Sequence, residues 1–272
     1  MLRRLFVRYV AAWALLGVAG AAEPEGLRVA TYNIKHGAGN DGTVDLARTA
    51  AVPAKLRPDV VGLQEVDEHA LRSGSVDQAR DLAKRLKMHA AFGPFMDFQG
   101  GRYGLAILSK FPIESSRVVK LPAGGEPRVA LMVEVRPPGA AAEAPPVTIV
   151  NVHFDWLSDD RDRFRQATTL KKELDALPGP YLLLGDFNDT PGSRTLELLS
   201  RGCLEAKKPA DDRFTFSAVK PSTEIDYIFA APADGWSVEG ARVIDERVAS
   251  DHRPVFATFR PLRDAPASGA RK

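Results

Sequence analysis

Tyr181-Leu182-Leu183-Leu184-Gly185-Asp186-Phe187-Asn188 is an apolar run that ends abruptly in a carboxylate and an amide. Its first four residues read as a buried strand. A second boundary of the same kind is Ser250-Asp251-His252-Arg253-Pro254, which opens directly into Val255-Phe256-Ala257-Thr258-Phe259. A buried strand has no structural need for carboxylates, an amide and an imidazole at its mouth. A metal-assisted hydrolytic site does need them.

Working outward, strands are predicted at Leu27–Ile34, Val60–Glu65, Ala90–Phe92, Leu105–Leu108, Ile113–Leu121, Val129–Val135, Val147–Val152, Ile225–Phe229, Trp236–Val243 and Val255–Phe259. Helices are predicted at Val44–Leu56 with Thr43 as cap, Val76–Leu86, Asp159–Leu177, and Ser193–Leu199 with Ser193 as cap. Runs of strands on their own, mixed with helices, point to an α/β (α+β) fold. Two mostly antiparallel sheets covered by helices fit this pattern better than a doubly wound parallel sheet. No internal repeat and no boundary splits the core. Pro137–Pro146 has no packing pattern and reads as a hairpin connection.

At 272 residues and 44% hydrophobic composition, the chain can fill one sizeable core. Met1–Arg8 is a basic segment, Tyr9–Gly20 is apolar but short for a bilayer span, and Ala19-Gly20-Ala21-Ala22 supplies small residues. Residues 1–22 are therefore expected to be a cleaved signal peptide, making the protein exported, periplasmic or secreted, without a transmembrane anchor after processing. Cleavage removes Arg3, Arg4 and Arg8 and no acid, leaving 34 basic against 35 acidic residues. The formal +2 of the whole chain then becomes −1 and gives no support for a nucleic-acid partner. The lone Cys203 cannot form an internal disulfide and reads as a small core residue.

Polar residues mark six predicted strand ends: Asn33, Glu65, His153, Asp186 with Asn188, Asp226, and Asp251 with His252. Strand ends far apart in sequence can converge at one edge of packed sheets. A Glu, Asp and Asn set without Cys suits a hard, oxygen-ligated ion, Mg²⁺ or Mn²⁺. No His-x-x-x-His pair is present, which ranks Zn²⁺ lower. Taken singly, each residue has a plainer reading. His153 reads as a hydrogen-bonded core imidazole, Asp226 and Arg128 as surface residues, and Asp251 as a turn residue. The Met, Phe and Trp residues read as core and loop anchors, and Phe92–Phe98 as an exposed aromatic stretch.

Taken together, Thr31-Tyr32-Asn33-Ile34, Gln64-Glu65, Asn151-Val152-His153, Gly185-Asp186-Phe187-Asn188, Ile225-Asp226-Tyr227 and Ser250-Asp251-His252-Arg253-Pro254 resemble the motif series of the endonuclease/exonuclease/phosphatase superfamily, the deoxyribonuclease-I-like fold. The motifs stand in the family's order from Leu27 to Phe259. The resemblance implies a four-layer α/β/β/α sandwich and a single catalytic domain over residues 23–261, followed by a tail at 262–272. It implies metal ligation by Glu65, Asn33 and Asp251. It gives Asp186 and Asn188 the task of orienting the attacking water and holding the phosphate. It makes His252 the general base and Asp226 the carboxylate that fixes an imidazole, paired with His252, with His153 as the alternative partner. His153 and Arg128 would contact the phosphate.

The expected activity is thus a divalent-metal-dependent phosphoesterase, foremost a phosphodiesterase of nuclease type. A phosphatase or a sphingomyelinase-like lipid phosphodiesterase of the same fold is the alternative, and a noncatalytic phosphate-binding module is the alternative of a different class. The expected partner is a phosphoester substrate, nucleic acid among them. No stable protein partner is implied, and the expected state is a monomer.

Overall fold

Side-chain alternation along the strands decides the layering. In the strand Tyr181–Asp186, Leu182 and Leu184 are buried in one cluster with Val29, Ile107 and Leu131. Tyr181 and Leu183 are buried in another, with Leu170 and Leu174 of a helix. A strand that is apolar on both faces must be covered on both. The computed structural model describes residues 26–139 and 143–262. The expected signal peptide, the tail beyond Leu262 and residues 140–142 of the Pro137–Pro146 connection lie outside them.

The elements in chain order are β1 (Leu27–Asn33), α1 (Leu46–Leu56), β2 (Val60–Glu68), α2 (Gln78–Leu86), β3 (His89–Phe98), β4 (Gly101–Ser109), β5 (Ile113–Leu121), β6 (Arg128–Val135), β7 (Val147–His153), α3 (Arg161–Asp175), β8 (Tyr181–Asp186), α4 (Arg194–Leu199), β9 (Leu204–Glu205), β10 (Asp226–Ala231), β11 (Trp236–Val243) and β12 (Val255–Pro261). Short 3-10 turns lie between some of them. One sheet runs β11-β12-β1-β2-β4-β3 and the other β5-β6-β7-β8-β10-β9. Both are mostly antiparallel, with one parallel pair at the centre of each: β1 with β2, and β7 with β8.

Those two parallel pairs position the site. Parallel neighbours end at the same edge, so β1 brings Asn33 beside Gln64 of β2. By the same rule β7 brings His153 beside Asp186 of β8. The antiparallel β10 starts where β8 ends, which sets Asp226 opposite Asp186. The antiparallel β12 likewise starts at this edge, with Asp251 and His252 just before it.

The apolar faces of the sheets pack on each other through Val29, Ile107, Leu131, Leu184, Val255 and Phe259, all nearly fully buried. Burying a side chain of this size contributes roughly 1.5–3 kcal/mol. Helices α1 and α2 cover the outer face of the first sheet through Ala50, Leu82 and Ala83. Helices α3 and α4 cover the second through Ala167, Leu170 and Leu196. The architecture is the expected four-layer α/β/β/α sandwich. A buried polar staple crosses between the sheets. Asn151 of β7 donates to the carbonyls of Leu63 and Ala106 at 2.8 and 2.9 Å, and accepts from Gln64 Nε2 at 2.7 Å. Gly62 permits this approach, since a Cβ there would stand 2.0 Å from Leu184 Cδ1.

Several local expectations are corrected. Helix α1 is capped by Asp45, whose carboxylate accepts from the backbone N–H of Ala47 and Arg48, and not by Thr43. Asp45, two residues after Thr43, directly precedes the first helical residue, and aspartate caps better than threonine. Phe92–Phe98 belongs to the ten-residue strand β3, and its rings are partly covered. Arg72 lies over Phe98 and Arg102 over Phe92, at 4.3 and 5.7 Å. Strand β9 had no sequence signal at two residues. The cap at Ser193 is as expected, its hydroxyl accepting from Leu196 N.

Candidate active site

Asp186 is the hub of the polar edge. Its Oδ2 accepts from Asn33 Nδ2 at 3.1 Å and lies 3.5 Å from His153 Nε2 and 3.6 Å from His252 Nε2. Its Oδ1 accepts from Asn188 N at 2.9 Å. The carboxyl is 1% exposed. Gly185 makes the approach possible, because a Cβ there would stand 2.1 Å from the Val152 carbonyl oxygen.

Asn33 and Glu65 form the arm from the first sheet. Asn33 Nδ2 also donates to Glu65 Oε1 at 3.0 Å, and Asn33 Oδ1 accepts from Lys35 N at 3.1 Å. Glu65 has a φ of 57°, at a bulge where the β2–β4 register shifts between Leu63 and Val66. A non-glycine residue in this region is strained, and such strain gathers at functional sites. Here the bulge turns a carboxylate out of a buried strand toward Asn33. Asn188 also has a positive φ, 49°, which asparagine tolerates. Its side-chain amide donates to the Phe154 carbonyl at 3.0 Å, tying the β8 end to the segment after β7.

His252 is 5% exposed, and its Nδ1 is 3.0 Å from Asp226 Oδ2. Of the two imidazoles that Asp226 was expected to fix, it is therefore His252. Burial pulls the His252 pKa down, but the carboxylates of Asp226 and Asp186 outweigh it and hold the imidazole above its usual range. Burial, reinforced by Asp226, pushes the Asp186 carboxyl up against the opposing pull of His252 and the Asn33 amide. His153 goes the other way. Burial, then the positive charges of Arg128 and His252, keep it well below the ordinary histidine value.

Asp186, Asp226 and His252 each offer a ligand atom within 4.8 Å of one another, the one such trio among the described residues. Glu65 joins it only through Asn33. Asp251 is half-buried and faces Lys35 Nζ at 3.1 Å, while Ser250 Oγ donates to the Asn33 carbonyl at 2.7 Å. Lys35 thus carries a cation directly beside Asp251.

Arg128 is 2% exposed, so its reading as a surface residue is overturned, as is that of Asp226 at 1%. Arg128 Nε and Nη1 are buried without a hydrogen-bond partner, as are His153 Nδ1 and Asp226 Oδ1. Unsatisfied buried polar atoms are costly, and a bound anion, cation or water would satisfy these four. Phe216 and Trp156 depart from the reading of aromatic residues as core and loop anchors. Phe216 is 37% exposed and leans on the His252 ring, with centroids 5.0 Å apart. Trp156 is 60% exposed and follows Phe154 by two residues. Neither showed any periodicity that could have singled it out in the sequence.

The pattern of the Endonuclease/Exonuclease/phosphatase family matches residues 30–252. Protein cwh43 of Schizosaccharomyces pombe is 33% identical over 156 residues, 56% of this chain, although the match spans only 15% of that protein's length. Protein YbhP of Escherichia coli K12 is 27% identical over 223 residues, 78% of this chain and 85% of YbhP. The crystal structure of an endonuclease/exonuclease/phosphatase from Beutenbergia cavernae superposes with a TM-score of 0.75 and 27% identity, covering 87% of this chain and 72% of the other. Members of the family hydrolyse phosphoester bonds and generally depend on a divalent metal. The chain belongs to the endonuclease/exonuclease/phosphatase family and is a phosphoester-hydrolysing enzyme.

Proposed function

We propose that this enzyme is an exported, divalent-metal-dependent phosphodiesterase of nuclease type. The observation that carries the reading is the Asp226–His252–Asp186 trio joined through Asn33 to Glu65. Around it the carboxylates of Glu65, Asp186, Asp226 and Asp251 outnumber the cations of Lys35 and His252, and Asp226 Oδ1 is buried without a partner. Such a surplus of hard oxygen donors fits Mg²⁺ or Mn²⁺. Glu65, Asn33 and Asp251 are the residues that would hold it. A bound divalent cation would neutralise charge on the nonbridging phosphate oxygens and draw the His252 pKa back down toward the working range.

The chain's own groups supply the rest. Asp226 fixes the His252 ring and makes its Nε2 the proton-accepting nitrogen. Asp186 and Asn188 orient the attacking water at the β8 end. His252 takes that water's proton as its oxygen attacks phosphorus, worth roughly two to four powers of ten in rate. The bond to the leaving oxygen breaks in line, and that oxygen takes up a proton from solvent while His252 later returns its own. His153, held neutral, is suited to donate a hydrogen bond to the phosphate rather than to lose a proton to it. The buried donors of Arg128 face the same anion. The exposed face of Phe216 beside the His252 ring supports a substrate with planar groups, which stack on such rings in single-stranded nucleic acids.

The test is turnover of the protein lacking residues 1–22 on single-stranded DNA, RNA, sphingomyelin, bis-p-nitrophenyl phosphate and p-nitrophenyl phosphate with Mg²⁺ or Mn²⁺. The expected result is cleavage of the diesters, nucleic acid above lipid. Hydrolysis confined to the monoester would overturn the reading.

A further inference from the structure

Glu126 stands beside the phosphate-facing arginine, yet the reaction above has no use for it. Its place is built, not incidental. The loop between β5 and β6 is clamped at Pro122, whose carbonyl accepts from Gln166 Nε2 at 3.0 Å. It is clamped again at Gly125, whose N–H donates to the fully buried Asp155 at 2.7 Å. Gly124 lets the loop lie this close, since a Cβ there would stand 2.3 Å from Asp155 Oδ2. The clamps deliver Glu126 Oε2 to 3.0 Å from Arg128 Nη1. The glutamate side chain is 36% exposed and the arginine side chain 1%.

The guanidinium is thus hemmed in. Phe95 covers it at 5.1 Å from the ring centroid, and Glu126 flanks one terminal nitrogen. Nε and Nη1 still lack hydrogen bonds, because the Glu126 contact is not aligned as one. A phosphate that completes those donors must share Arg128 with a carboxylate. Arg128 offsets one negative charge, and a phosphodiester carries one. A phosphomonoester carries close to two above its second pKa near 6. The second charge meets the Glu126 carboxylate, which already draws on the charge of Arg128 and repels it.

We propose that Glu126 is a specificity residue that selects singly charged phosphoesters, the diesters, against doubly charged monoesters. The inference rests on the phosphodiesterase reading and deepens it.

The test compares p-nitrophenyl phosphate with p-nitrophenyl methylphosphonate, which has nearly the same size and leaving group but a single negative charge. In the native enzyme kcat/KM should favour the methylphosphonate. In Glu126→Gln that preference should fall on the order of tenfold, the scale of one unit charge near a partly exposed ion pair. Glu126→Asp should restore most of it. An unchanged ratio in Glu126→Gln overturns the role of Glu126 alone. So does an equal gain on both substrates, which would make the glutamate a simple blocker. A native enzyme that turns over p-nitrophenyl phosphate faster than both the methylphosphonate and bis-p-nitrophenyl phosphate removes the phosphodiesterase reading and this inference with it.

Discussion

Asn33 and Asp186 lie 153 residues apart, on different sheets, and meet in a 3.1 Å hydrogen bond that joins the two halves of the sandwich at its polar edge. The same amide nitrogen holds Glu65 at 3.0 Å. Asn33 therefore sets the distance between the carboxylate of the first sheet and the hub of the second. Asn33→Ala should lower kcat by about a hundredfold, the usual cost of misplacing reacting groups by about an ångström. Circular dichroism should show an intact fold, because β1 keeps its pairing with β2 and β12. A variant with native turnover would sever the link between the two arms and the chemistry.

The Asp226–His252 pair gives a pH test with a definite sign. Two carboxylates outweigh burial and raise the His252 pKa. Asp226→Asn removes the larger of the two, so the pKa of the base falls. A base works deprotonated, so the acidic limb of the pH–rate profile should move to lower pH. At the plateau kcat should drop by about 10²–10⁴, because the neutral amide neither stabilises the imidazolium nor enforces the tautomer. An alkaline limb that moves instead would recast His252 as a cation needed in its protonated form.

How much of this was legible beforehand depended on whether a residue announced itself through its neighbours. The strand ends at Asn33, Asp186 and Asp226 were readable because each borders an apolar run, and the layering followed from runs of strands mixed with helices and from the family resemblance. The pairing of Asp226 with His252 rather than His153 was implied by the resemblance and not fixed by the residues themselves. It depends on β10 and β12 starting at the same edge, a matter of sheet order. Glu65 was visible as a polar strand end. The bulge that turns it outward was not, since it arises in pairing with β4 rather than in β2 itself. Burial of Arg128 was hidden for a similar reason. The loop before it is held by contacts distant in sequence, Gly125 with Asp155 and Pro122 with Gln166.

Arg128 should show a conflict between stability and function. Its charge is buried with Nε and Nη1 unsatisfied, a state that costs free energy until an anion arrives. Arg128→Met replaces it with an apolar chain against Phe95. Thermal stability should hold or rise by a few degrees, while kcat/KM falls by a hundredfold or more. Arg128→Lys keeps the charge but not the planar donor set, and its main effect should be a raised KM. A marked fall in melting temperature for the methionine variant would mean that the arginine is satisfied within the fold and is not waiting for substrate.

The carboxylate surplus makes the ion itself measurable without any substrate. Mg²⁺ or Mn²⁺ bound to the folded state alone stabilises it by about 2.7 kcal/mol at a hundredfold excess over its dissociation constant. For a domain of this size that is a rise of roughly 5–10 °C in melting temperature. Glu65→Gln keeps the shape of the side chain and its hydrogen bond from Asn33, but removes one of the proposed ligand charges. It should melt close to the native protein in EDTA and gain little when the metal is added. A full metal-dependent rise in Glu65→Gln would move the ion away from the Asn33–Glu65 arm, leaving the Asp186–Asp226–His252 trio as the remaining place for it.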